Sequence, residues 1–138
     1  MVCKGRIVRG RNVPIFPISR ASIVPHTVTV TPADTARNAL VTAPATGAAH
    51  KINQILVSNI DGTNAVNATV ELRLADGTTY RAIGSTISVP ANATLVMLDK
   101  TTMLYLVDTS VTGQASTLWA TSGTASKLTF TVSYETIS

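Results

Sequence analysis

The chain has 138 residues and carries 11 Lys+Arg against 7 Asp+Glu, a formal net charge of +4. Only 13% of residues are charged and 45% are hydrophobic, with 22 Thr, 17 Ala and 15 Val, a balance that excludes ordinary disorder and suits a single domain. No apolar run approaches the roughly 18–20 residues of a membrane span, the start MVCKGRIVRGRNVP lacks the apolar stretch of a secretory signal, and one cysteine, Cys3, excludes a disulfide within the chain.

Residues 1–20 hold Lys4, Arg6, Arg9, Arg11 and Arg20 and no acid, so this segment is +5 and the remainder is −1. Gly5, Gly10, Pro14, Pro17 and Pro25 weaken helix and strand alike, which predicts an extended arm over residues 1–25. Ile7, Val8, Val13, Ile15, Phe16, Ile18, Ile23 and Val24 interleave with the charges. A solvated tail has no use for them, so the arm is expected to dock on its own body or on a neighbouring subunit. Its expected partner-binding residues are Arg6, Arg9, Arg11, Ile15, Phe16 and Arg20. Nucleic acid is not the expected partner: Phe16 is the arm's one aromatic, and the body offers no basic face to extend a site.

The body, residues 26–138, reads as strands. Thr27–Thr31 is a short strand with Val28 and Val30 inward. Pro32–Leu40 has some helical promise, limited to one turn because Thr and Asn are weak helix formers. Ile52–Asn59 groups Ile55, Leu56 and Val57, as a more deeply buried strand does. Val66–Leu74 alternates strictly, with Val66, Ala68, Val70, Leu72 and Leu74 on one face. Asp61-Gly62 and Asp76-Gly77 are turn dipeptides tolerant of positive φ, and the second joins Val66–Leu74 to Thr79–Ile83 as a hairpin. Ile87–Val89, Thr94–Leu98, Met103–Val107 and Ser116–Thr121 follow, and Leu128–Tyr134 alternates again. Eight or nine short strands bounded by turns predict an all-β, antiparallel β-sandwich, jelly-roll-like, with a core of Val, Leu, Ile and Ala around an inward Trp119.

Chemistry is sparse. His26 and His50 have no second ligand at metal-binding spacing, Cys3 has no base beside it, and no two of the scattered acids form a catalytic pair. No enzyme activity, metal or cofactor is expected. Asn67-Ala-Thr69 and Asn92-Ala-Thr94 match the glycosylation tripeptide, which means little without a signal peptide. Cys3 leaves room for an intermolecular disulfide. Trp119 and Tyr105 are candidates to line a carbohydrate site, although a lone Trp in a strand is more often a core residue.

Lys51–Asn59 (KINQILVSN), Val66–Leu74 (VNATVELRL), Ile87–Leu98 (ISVPANATLVML), Leu118–Ala120 and Leu128–Ile137 form an ordered series. Over residues 50–138 this series resembles the small β-sandwich virion proteins of tailed bacteriophages. The resemblance implies a structural component of the virion that assembles in the host cytoplasm. It would be a homo-oligomer bound to other virion proteins, without membrane or nucleic acid. A capsid decoration (cement) protein is the first expectation, a neck, collar or tail-fibre adaptor the second, and a carbohydrate-binding module comes from a different class. The resemblance brings no catalytic residue.

Overall fold

The alternating segments fold as strands. The computed structural model describes residues 21–138, and nine strands lie there. They are β1 (Ile23–Val30), β2 (Asn38–Val41), β3 (Ala49–Asn59), β4 (Val66–Leu74), β5 (Tyr80–Val89), β6 (Thr94–Leu98), β7 (Leu104–Val107), β8 (Ala115–Ser122) and β9 (Leu128–Ile137). One sheet runs β1-β9-β3-β6, with β7 also on β3, and the other runs β2-β8-β4-β5; every pairing is antiparallel. With β7 set aside, the partners nest: β1 with β9, β2 with β8, β3 with β6 and β4 with β5. This is one long hairpin rolled across two sheets, the jelly-roll form of the expected sandwich.

The core lies between the sheets. Leu128, Phe130 and Val132 of β9 face Ile55 and Val57 of β3, and Val70 of β4 and Leu118 of β8 close it from the other sheet, all with no exposed surface. Phe130 is the largest fully buried side chain. The inward residue expected of that size, Trp119, lies on the outer face instead. Ser116, Leu118, Ala120 and Ser122 are the buried residues of β8, and Trp119 shares the opposite parity with Thr117 and Thr121.

Three further expectations shift. The 32–40 stretch makes no helical turn: Asp34 Oδ1 accepts from the Ala36 N–H at 3.0 Å, and Asn38–Val41 become β2, burying Leu40 and Val41 beside β8. The two predicted strands at 79–83 and 87–89 are one strand, β5, kept continuous through register shifts against β4. Ile23, Val24 and Pro25, read with the arm, are the first residues of β1 and pair with Ile137, Thr136 and Glu135.

Proline is tolerated in β1 because of where its missing donor falls. Ser22 and Ser138 exchange both backbone hydrogen bonds, at 2.7 and 3.0 Å. The alternation of an antiparallel ladder then aims Val24, His26, Val28 and Val30 at β9, and Ile23, Pro25, Thr27 and Thr29 away from it. Pro25 thus lacks an N–H where β9 needs none.

β3 holds a one-residue irregularity. Ile52 stands opposite Tyr134 and Gln54 opposite Ser133, so Asn53 is the extra residue of a bulge. The bulge lets Ile52 and Ile55, three apart, both point into the core. At the end of β3, buried Asn59 ties three segments: its Nδ2 donates to the carbonyls of Asn64 and Val89, each at 2.9 Å, and its Oδ1 accepts from the Asp61 N–H at 2.9 Å. Replacing it orphans a buried carbonyl. Asn59→Ala is expected to lower the unfolding free energy by about 2–3 kcal/mol, read from the urea midpoint, because no new side chain can satisfy Val89.

Candidate functional site

The expected partner-binding residues Arg6, Arg9, Arg11, Ile15, Phe16 and Arg20, and Cys3, lie outside the described residues. In the body, the acids are committed to loops. Asp34, Asp61, Asp76, Asp99 and Asp108 each accept from a backbone N–H two residues ahead, at 2.8–3.0 Å. The hydroxyl of Thr79 and the N–H groups of Thr78 and Thr79 hold the Asp76 carboxyl down to about 2. The Ser110 hydroxyl, with the Gly47 and Ser110 N–H groups, holds Asp108 below the usual carboxylate range. Four of the five open an Asp-x-Thr/Ser triplet (Asp61-Gly-Thr63, Asp76-Gly-Thr78, Asp99-Lys-Thr101, Asp108-Thr-Ser110), a short signal readable in the sequence. Such carboxylates fix loop shape. Glu71 is bound to Arg37 at 2.7 Å.

The histidines converge, although nothing in their spacing says so. His26 stacks on Tyr134 with ring centroids 4.8 Å apart, and His50 meets the same ring edge-on at 4.9 Å. His50 is buried, and its Nδ1 lies 3.0 Å from the Thr136 hydroxyl. Burial, with the nearby His26 charge second, lowers its pKa below the ordinary histidine value. Among the described residues no group of three His, Cys, Asp or Glu could hold a metal ion.

The two aromatics proposed for a carbohydrate site are not brought together. Trp119 lies on the outer face of the β2-β8-β4-β5 sheet. Its ring meets Tyr80 edge-on with centroids 6.1 Å apart, and its Nε1 donates to Thr117 Oγ1 at 2.8 Å. The Arg73 guanidinium lies 5.5 Å from the Trp119 ring, and that of Arg37 lies 4.3 Å over Tyr80. Both rings are thus already engaged by cations of the same chain. The cluster clamps β2, β4, β5 and β8 across their outer face. Tyr105 belongs to the other sheet, where it pairs with Lys51 and is 43% exposed.

That other outer face is covered with hydroxyls. Thr27 pairs with Ser133, Thr29 with Thr131 and Thr31 with Thr129 by side-chain hydrogen bonds of 3.5, 3.4 and 2.9 Å, and Ser58 bonds Thr94 at 2.9 Å. It ends at the free edge of β1, where Ile23 is 61% and Val24 45% exposed. Among the described residues β1 is paired on one side only, and its eight residues keep one register. The other edges are interrupted: β5 shifts register twice, β2 and β6 once each, and β7 has four residues. Bulges and short length spoil an edge for pairing; β1 keeps one register but lacks the outward donor of Pro25, so a strand received there would bond Thr27 and Thr29 beyond the proline.

No protein-family model matches the chain, and no curated protein does. Among solved structures, it is similar to that of the infectious bursal disease virus Gx strain, at 14% identity and a TM-score of 0.45, covering 86% of this chain and 32% of that one. It is also similar to the infectious bursal disease virus VP2 subviral particle, at 15% identity and a TM-score of 0.41, again covering 86% and 32%. Both structures come from that virus rather than from a tailed phage. The chain spans about a third of their length.

Buried His50 sets a pH dependence. A histidine whose folded pKa is lowered contributes stability above its unfolded value, about 6.5, and loses it as pH falls toward the folded value. The urea midpoint is therefore expected to fall between about pH 7.5 and 5.5, above the range in which the lowered aspartates titrate. His50→Asn, which retains a partner for Thr136, should flatten that slope.

Proposed function

We propose that this protein is a non-enzymatic structural component of a virion, a bacteriophage head-decorating (cement) protein. It attaches to the assembled head as a homo-oligomer through its N-terminal arm and the β1 edge. The observation that carries the reading is the β1 edge itself: eight residues in one register, unpaired on the outer side among the described residues, bearing exposed Ile23 and Val24. β1 is the first described strand, so residues 1–20 precede this edge in the chain. Arg6, Arg9, Arg11 and Arg20 would meet acidic surface on a neighbour, and Ile15 and Phe16 would bury apolar area there at roughly 25 cal/mol per Å². Repeated contacts across a symmetric array convert modest affinities into firm attachment.

Two further features support it. Five of the carboxylates serve loops and Glu71 is held in an ion pair with Arg37, which leaves little to act as acid or base on a substrate. By fold-level analogy, the jelly roll is an architecture that capsid and lectin domains use.

Deleting residues 1–20 is expected to leave a soluble sandwich with an unchanged far-ultraviolet spectrum that no longer sediments with particles. Normal incorporation of the shortened chain would refute the docking arm. Counting copies per particle tests the location: hundreds for head decoration, tens or fewer for a neck or tail adaptor.

A further inference from the structure

The β3 bulge has an effect on the outer face as well as on the core. In a regular strand, neighbouring side chains leave on opposite faces. Here Ile52 and Ile55 both turn inward, so the two residues between them, Asn53 and Gln54, are both excluded from the core. They line an open pocket of about 440 Å³ together with Asp99, Lys100, Thr101 and Ser133. That volume falls within the roughly 300–1,000 Å³ usual for small-ligand sites.

The chemistry of the lining is selective. Asn53 and Gln54 are half-buried, and neither side-chain amide makes a hydrogen bond among the described residues. Each offers paired donors and acceptors, the complement of adjacent hydroxyls on one ring. The far wall is already shaped: the Thr101 N–H donates to Asp99 Oδ1 at 2.9 Å, and that of Thr102 donates to the Asp99 carbonyl at 3.1 Å. Lys100 beside Asp99 leaves the wall without net charge, which gives an anion no advantage. Outside the lining, Met103, 79% exposed, precedes β7, and Tyr105 of β7 pairs with Lys51, two residues before Asn53.

We propose that this pocket binds a neutral hexopyranose unit of a surface glycan. The site lies on the opposite sheet from Trp119 and one strand in from β1, whose outer edge it does not use, so either role can fail without the other.

The test is a ¹⁵N-heteronuclear NMR titration of the full chain with four separate probes: the methyl glycosides of glucose, galactose, mannose and N-acetylglucosamine. Saturable shifts are expected with at least one of them, centred on Asn53, Gln54, Lys100 and Thr101, with a dissociation constant on the order of 1 mM. Gln54→Ala and, independently, Asn53→Ala should weaken that binding tenfold or more without moving the unfolding midpoint, while Trp119→Ala leaves it unchanged. Absence of saturable shifts with all four probes at about 50 mM overturns the proposal. Shifts centred on Trp119 and Tyr80, or stronger binding of methyl glucuronide than of the neutral glycosides, also overturn it.

Discussion

The pairing of β3 with β9 is the constraint on which the other elements depend. It runs the length of both strands, and β9 also carries β1 on its far side while β3 carries β6 and β7. A slip of one residue would turn every side chain beyond it to the wrong face. The slip is present, at Asn53, and the sequence is written to match it: Ile52 belongs to one parity and Ile55, Val57 and Asn59 to the other. Core burial therefore fixes the bulge, and the bulge fixes which polar side chains stand outside.

Electrostatics plays a local part. The body has few charges, and most of its acids are used within the loops that hold them. Arg37, Glu71, Arg73, Tyr80 and Trp119 form a self-contained cluster on one outer face, and the other is dressed in paired hydroxyls. Much of each broad face is thus paired within itself, apart from Asn53 and Gln54, and β1 is one of the edges that keep unpaired backbone. The net charge of the whole chain, which taken alone points toward nucleic acid, is a property of residues 1–20.

Much of this was legible where one rule acts alone. Strict alternation over Val66–Leu74 matches β4 residue for residue, and Asp76-Gly77 marks the β4–β5 turn, with Gly77 at φ +72°. Legibility failed where tertiary contacts decide. β2 has four residues and exists because Leu40 and Val41 find β8. Gly84, Ser85 and Thr86 lie between the strands expected at 79–83 and 87–89, and Thr86 sits at φ 54° inside a strand that β4 keeps together. A lone Trp in a strand is more often a core residue, but the parity Trp119 shares with Thr117 and Thr121 puts it outside. The pocket beside Asn53 joins β3, β9 and the β6–β7 loop, segments far apart in the chain, and only Ile52 and Ile55, three apart in a strand, hint at it.

Nested pairing also imposes an order in time. β4 and β5 are joined by a turn of a few residues, whereas Thr29 and Thr131, on β1 and β9, are 102 residues apart. Loop-closure entropy grows with the length closed, so the inner hairpin zips early and the β1–β9 pair late, in a topology whose distant contacts make folding slow. The edge offered by β1 comes into being with the final pairing step. A chain caught part-way has no such edge to present, so a partner that reads it accepts finished molecules and passes over unfinished ones.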